Sequence, residues 1–542
     1  MQILFLLFRT SRTDVVIAAL AGVAGGLATS GFALVLQSAI AVRGEDSLRH
    51  ILAFVICWIA YGVGSVVTAN RITRVSQRAI RELRVSLSRQ ILEMPLARLE
   101  REGSRIFPVL TEDVQVIAWA AENMPATITG LVTVIGCLAI LLTISCPLTL
   151  ACIFLLVLAL ALYSVPLARF TRHLDRWRSE WDKISVHIDS LVHGQKELLL
   201  DIRKRHALLT RHIEPTARRQ ESEMVPASTW ETLLRRWGEM LLLLGVGILL
   251  FTMPLHGLAT YEQFGRFLFV ALFILAPLST ISGVGTLLRR ANIAANRARE
   301  LGVLLGAPPP VQPPPSKAYP SSFIPFSLRD VTYDHLHEEG NTFVLGPVSL
   351  AFDRPEIVFI CGGNGSGKTT LLKLLCGLYA PASGAIHLDG HPLDSADFIS
   401  HRQRFAAIFS DLHLFSSLLG YEDASPELAN QLLATVDLAK RVSVDASGGF
   451  STTALSQGQR KRLALVAALL EDKPVYIFDE WAADQDPEFR RLFYDKFLPD
   501  LRDRGRLVIA ITHDEGYYDR CDRLIRLGDG RILADERPSC ST

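Results

Sequence analysis

The sequence predicts a two-part membrane protein: a six-helix all-α membrane domain followed by an α/β domain built around a phosphate-binding loop. Three observations carry this reading. Charge-free apolar runs crowd the chain before residue 290, and Lys and Arg are shared unequally among the connections between them. In the second half a glycine-rich loop joins a strand-like apolar run to a helix-like one. The length of 542 residues, the hydrophobic share of 49% and the mean hydropathy of +0.27 exclude a single small module and a disordered chain.

A bilayer core of about 30 Å needs about 20 apolar residues per helix. Val15 to Val42, Ile51 to Asn70, Met240 to Tyr261 and Phe267 to Leu288 contain no Asp, Glu, Lys or Arg. Asn123 to Ala168 is charge-free for long enough to cross twice, folded at Ser145-Cys146-Pro147, because proline opens a turn. Six crossings are therefore expected, at 15–42, 51–70, 123–145, 147–168, 240–261 and 267–288. Residues 1–13, 71–122 and 169–237 carry 2, 9 and 14 basic residues, whereas the opposite connections carry far fewer, Arg43 and Arg49 among them. Basic loops stay in the cytoplasm, so both termini are expected there. The first run is too long for the apolar part of a signal peptide and is read as an uncleaved span.

Arg71 to Met94 and Thr171 to His212 mix charged and apolar residues at helical spacing, so the spans should continue as helices beyond the membrane. Two proline triplets, 308–310 and 313–315, then favour an extended connector. The expected organisation is a membrane domain at 1–300, a proline-rich linker at 301–325 and an α/β domain at 326–542. The net charge of +1, from 56 basic and 55 acidic residues, gives no global reason to bind nucleic acid. Eight scattered cysteines with no C-x-x-C pair argue against a zinc site and a disulfide scaffold.

The strand-like run Ile357-Val358-Phe359-Ile360 leads into Gly362-Gly363-Asn364-Gly365-Ser366-Gly367-Lys368-Thr369-Thr370 and then an apolar helix. This is a Walker A loop. Its glycines let backbone N–H groups face phosphates, the helix N-terminus adds its dipole, Lys368 reaches the β and γ oxygens, and the Thr369 hydroxyl is offered to Mg²⁺. A second buried-strand pattern, Val475-Tyr476-Ile477-Phe478, ends in two acids. Asp479 is expected to hold the metal through water and Glu480 to act as general base on the attacking water. Between them lies Leu455-Ser456-Gln457-Gly458-Gln459, opening an amphipathic helix, and Ile511-Thr512-His513 follows both.

The order of these motifs, with six spans before them, resembles an ABC exporter half-transporter of the type IV architecture over essentially the whole chain. The runs Leu455 to Ala464 and Phe478 to Arg490 are similar to those of exporters of cyclic peptides and siderophore precursors, the pyoverdine and syringomycin type, to which a lasso-peptide microcin exporter is also similar. The resemblance implies an ATPase that uses ATP and Mg²⁺ and exports a peptide-like cargo across the bacterial inner membrane. It makes Leu455, Ser456, Gln457, Gly458 and Gln459 the signature, which meets the γ-phosphate held by the opposite subunit. His513 becomes the switch histidine and Asp486 the D-loop aspartate. One chain has one Walker A loop and one signature, so a dimer is implied, most simply a homodimer. Coupling segments are expected near Phe107 to Asp113 and Ile202 to His212.

Three departures from the family pattern stand out. Ile408-Phe409-Ser410-Asp411 lacks the usual Q-loop glutamine; Ser410 occupies the slot, and Asp411 is an alternative metal ligand. In Val331-Thr332-Tyr333-Asp334-His335, either Tyr333 or His335 is placed to stack on adenine. Trp481 also stands where a proline often follows the catalytic glutamate.

Overall fold

The computed structural model describes residues 12–41, 47–256, 261–300, 322–336, 342–394, 397–422 and 424–538. The chain divides into two compact units: 1–94 with 101–310, and 95–100 with 311–542. Most of the expected linker lies outside the described residues, as do positions 257–260 at the end of the fifth expected span.

The first unit is helical: α1 (Arg12–Ala41), α2 (Ser47–Leu92), α3 (Met124–Ile144), α4 (Cys146–Leu162), α5 (Ser164–His193), α6 (Glu214–His256) and α7 (Tyr261–Glu300), with shorter helices between α2 and α3 and between α5 and α6. Among the described residues four helical stretches are long and apolar enough to cross a membrane: Arg12–Ser38, Leu48–Leu92, Ile106–Ile144 and Gln263–Glu300. Shorter apolar stretches run over Cys146–Leu158 and Glu239–Ile248.

Lipid cannot drive apolar helices together, so contact depends on close approach and on satisfied polar groups. Both are present. A Cβ on Gly26 of α1 would lie 2.9 Å from the Thr129 carbonyl and from Val132 of α3. Ser30 Oγ donates to the carbonyls of Gly26 (3.0 Å) and Thr133 (3.3 Å), and the buried Thr133 hydroxyl donates to Thr129 O at 3.0 Å. Thr133 thus serves packing. Outward-pointing Leu20, Ile56, Trp58 and Phe154 are more than half exposed, as side chains facing lipid should be.

The second unit is built on a six-stranded sheet in the order β10-β9-β3-β8-β7-β6. Its strands are β3 (Ile357–Gly362), β6 (Phe405–Ile408), β7 (Val475–Asp479), β8 (Leu507–Ile511), β9 (Arg523–Gly528) and β10 (Arg531–Glu536). All neighbours but β9 and β10 run parallel. Strands covered on both faces read as continuous apolar runs, which β3, β7 and β8 do. Ile357 and Phe359 enter one core with Tyr476, Phe478, Trp481 and Phe493; Val358 and Ile360 enter the other with Leu371, Leu375, Ile477 and Ile509. A four-stranded antiparallel sheet, β2-β1-β4-β5, adds Phe326, Leu328 and Phe352 to that second core; it comprises β1 (Phe326–Leu336), β2 (Thr342–Phe352), β4 (Ser383–Leu388) and β5 (His391–Pro392).

Six residues from far upstream complete this unit. Leu96 and Ala97 pack on the second core, and Glu100 accepts from Tyr379 Oη at 2.5 Å and from Lys373 Nζ at 2.7 Å. Nearby, His401 is fully buried between Phe326 and Phe405 and bonds the Leu375 carbonyl at 2.8 Å through Nε2. Burial pushes its pKa down to about 4.

Candidate nucleotide site

Ligands of open parallel sheets bind beyond the carboxyl ends of the strands, where β3, β7 and β8 deliver the expected site residues. β3 ends at Gly362, the loop turns through Gly365 (φ 78°) and Gly367 (φ 95°), and α8 (Lys368–Leu375) begins at once. Gly367 caps α8 in the left-handed conformation, where a Cβ would also strike Leu345 and Phe343 at 2.8 and 2.9 Å. The side chain of Lys368 is folded onto its own loop, donating to Gly362 O at 2.9 Å and Gly363 O at 3.1 Å. Gly363, Asn364 and Gly365 are exposed, Thr369 and Thr370 half-buried, and Ser366 buried.

Below the loop, three oxygen groups converge. Thr369 Oγ1 and Ser410 Oγ each donate to Asp479 Oδ2 at 3.2 Å, with the Ser410 amide at 3.5 Å. Asp479 is 1% exposed, and burial raises its pKa above the ordinary carboxylate value. Among the described residues its other oxygen, Oδ1, has no hydrogen-bond partner, and neither has Ser366 Oγ. Buried acceptors of that kind call for a partner. A hard-oxygen donor set with an uncommitted carboxylate oxygen fits Mg²⁺. Of the two residues expected at the Q-loop position, Ser410 reaches this cluster; Asp411 is exposed, and its charge bears on Tyr379.

Glu480 is the next residue, in a different setting. Its backbone is left-handed (φ 49°, ψ 36°), its side chain is 41% exposed, and Oε1 lies 3.3 Å from His513 Nε2. The two candidate catalytic side chains are therefore neighbours at the ends of β7 and β8. Tyr333 stacks on Tyr379, with ring centroids 4.6 Å apart and planes at 6°. His335 pairs with Phe343 in the β1–β2 ladder, and its side chain lies outside the described residues.

The signature opens α9 (Gln457–Glu471) with a reciprocal cap: Ser456 Oγ accepts from Gln459 N and Gln459 Oε1 accepts from Ser456 N. Gly458 is required by close approach, since a Cβ there would lie 2.6 Å from Asp484 O. Among the described residues no hydrogen bond or ion pair joins 455–459 to the phosphate loop of the same chain. The signature is instead fastened to the segment after Glu480. Lys461 Nζ reaches Glu480 O at 2.8 Å and Asp484 Oδ2 at 2.6 Å; Arg462 holds Gln485 Oε1 at 2.9 Å and pairs with Asp486. Asp486 also caps Pro487–Leu492 through the Phe489 amide, and that bond, with the Arg462 guanidinium, lowers its pKa. Trp481 is buried, stacks on Phe493 at 4.4 Å and donates its indole N–H to Lys461 O at 2.9 Å.

Sequence reasoning did not assign roles to Lys461, Arg462, Asp484 and Gln485. The signal was there, because both runs marked as distinctive, 455–464 and 478–490, prove to be the two sides of this one contact.

Comparison with known proteins places the site in a family. Residues 345–483 match the family ABC transporter and residues 15–195 match the ABC transporter transmembrane region. The ATP-binding protein SyrD of Pseudomonas syringae pv. syringae is 34% identical over 472 residues, covering 85% of this chain and 83% of that protein. The chain belongs to the ABC transporter family. It is an exporter half-transporter, a membrane domain and an ABC ATPase domain in one polypeptide. The ATP-dependent lipid A-core flippase of Xanthomonas euvesicatoria pv. vesicatoria is also similar to the transporter, 25% identical over 97% of this chain and 91% of that one. A solved bacterial Atm1-family ABC exporter with ATP bound shares the fold, with a TM-score of 0.78, 19% identity, and coverage of 97% and 95%. The transporter is thus a multi-pass membrane protein whose ATPase domain binds and hydrolyses ATP.

Proposed function

We propose that the transporter works as a homodimer in the bacterial inner membrane, termini in the cytoplasm, exporting a peptide-derived natural product such as a cyclic or lasso peptide or a siderophore precursor. Likeness to SyrD across both domains carries the reading, together with the peptide-exporter character of the 455–464 and 478–490 runs. The separation of signature from phosphate loop within one chain supports the dimer, in which each signature would face the partner's loop.

The residues divide the work by chemistry. Gly362 to Thr370 would cradle the phosphates, with Lys368 exchanging its loop carbonyls for the β and γ oxygens. Thr369, Ser410 and Asp479 would hold Mg²⁺, with Asp411 the outer alternative. When bound, the ion neutralises phosphate charge. Glu480 would draw the proton from the attacking water, His513 would steady Glu480 and the γ-phosphate, and Asp486 would report across the dimer. Tyr333 already has one ring face on Tyr379, which leaves its other face or His335 for adenine.

The test is ATPase activity of the full chain in nanodiscs with a cyclic lipopeptide, a lasso peptide, a peptidic siderophore precursor or lipid A added. Stimulation by a peptide supports the proposal. Stimulation by lipid A alone would favour a lipid cargo, which the flippase likeness supports.

A further inference from the structure

Lys461 stands one turn inside α9 and is 3% exposed, an unusual place for an ammonium group. Burial of a cation is costly unless it is paired and its donors are used. The pair is Asp484 Oδ2 at 2.6 Å, but a second donor goes to the main-chain carbonyl of Glu480 at 2.8 Å. That second bond uses another donor of the buried ammonium and directs it at the backbone of Glu480. The Lys461 carbonyl accepts from Trp481, the residue after Glu480, at 2.9 Å. Lys461 thus holds the Glu480 carbonyl with its ammonium and the Trp481 indole with its own carbonyl, one on each side of the Glu480–Trp481 peptide.

That grip acts where the backbone needs it. Glu480 is held left-handed, a conformation that non-glycine residues keep only when their surroundings over-determine it. Among the described residues its half-exposed side chain makes one polar contact, to His513, so the backbone does much to set its direction. The neighbouring residues of α9 strengthen the joint: Gln457 Nε2 also reaches Asp484 at 3.1 Å, and Arg462 holds Gln485 and Asp486.

We infer that Lys461 is a positioning residue for hydrolysis, aiming the Glu480 carboxylate through its backbone carbonyl and tying that aim to the placement of the signature helix. The inference rests on the proposed role of Glu480 as general base. In a composite dimer the N-terminus of α9 serves one ATP site and Glu480 the other. Lys461 then joins the two sites inside a single chain, so that seating of the signature on one γ-phosphate fixes the base of the other site.

The experiment separates the carbonyl bond from the ion pair. In full-length transporter in nanodiscs, K461L/D484N removes both charges and the donor, whereas K461Q/D484N removes both charges and keeps an N–H for the Glu480 carbonyl. Small misplacements of a catalytic group cost up to about 100-fold, so K461L/D484N is expected to lower kcat at least about 10-fold while the KM for ATP moves less than about 3-fold. K461Q/D484N should return kcat to within about 3-fold of wild type. Equal kcat in the two double variants, or a loss carried by KM, overturns the inference. E480Q runs alongside. If it turns over ATP like wild type, the general-base reading fails and takes the positioning role with it; if it is inactive and the double variants match, only the positioning role fails.

Discussion

The phosphate-loop side and the signature side of the ATPase domain are built by opposite means. The first is shaped by backbone: Gly365 and Gly367 bend the loop, and Asp479 is sunk at the end of an all-buried strand with two hydroxyls on one oxygen. The second is shaped by side chains: Lys461, Arg462, Asp484, Gln485 and Asp486 lash a helix to the turn after Glu480. Chemistry that must cradle a fixed ligand is thus given the stiffer construction. The part proposed to meet a partner subunit is given long polar side chains, which repack at lower cost than a glycine loop.

The sharpest way to break this contrast is at the two adjacent acids. Glu480→Gln should reduce ATP turnover by about 10² to 10⁴-fold while ATP binding, read by fluorescent-nucleotide titration, stays near wild type. Turnover like that of wild type would remove Glu480 from catalysis. On the same turn, Trp481→Ala empties a fully buried site against Phe493 and should cost about 3–5 kcal/mol of domain stability, read by thermal or urea unfolding. A proline at 481 would lose the indole bond to Lys461 as well.

A finer test lies under the loop. Ser410→Ala strips one of the two hydroxyls from Asp479 Oδ2 and should raise the Mg²⁺ concentration for half-maximal turnover about 10-fold, with Asp411→Asn shifting it less. The reverse order would hand the Q-loop role to Asp411. A further effect, on stability and not on turnover, belongs to the core. The pKa of His401 falls from about 6.5 unfolded to about 4 folded, so the unfolded state binds more protons between those values. Stability contributed by neutral His401 is full above pH 6.5 and is lost as pH falls toward 4; His401→Gln should flatten the fall in melting temperature over that window.

What could be read in the sequence follows the same division. Gly362 to Thr370, the apolar runs of β3, β7 and β8, and the cap at Ser456 are local patterns whose chemistry is fixed by neighbours in the chain, so residue order reveals them. Ser410 facing Asp479, or Lys461 facing Glu480 and Asp484, are meetings of segments 19 or more residues apart. The sequence marked Ser410 as a departure from the family pattern and Lys461 only as part of a distinctive run, without saying what either touches. Pro95 to Glu100 is the clearest case: nothing in that short stretch between longer helical patterns announces that Glu100 meets Lys373 and Tyr379 on the ATPase domain.

The central claim is that each ATP site is assembled from the phosphate loop of one chain and the signature of another. Two variants test it together: Lys368→Ala with Glu480→Gln, which leaves the signature intact, and Ser456→Arg, which puts a bulky cation at the exposed start of the signature helix and leaves the loop and the Lys461–Asp484 joint in place. Each alone should be inactive as a homodimer. Co-expressed and purified as a mixed dimer by two different tags, they retain one whole site, and the account predicts ATP turnover well above either parent. Turnover no higher than that of the parents would contradict it.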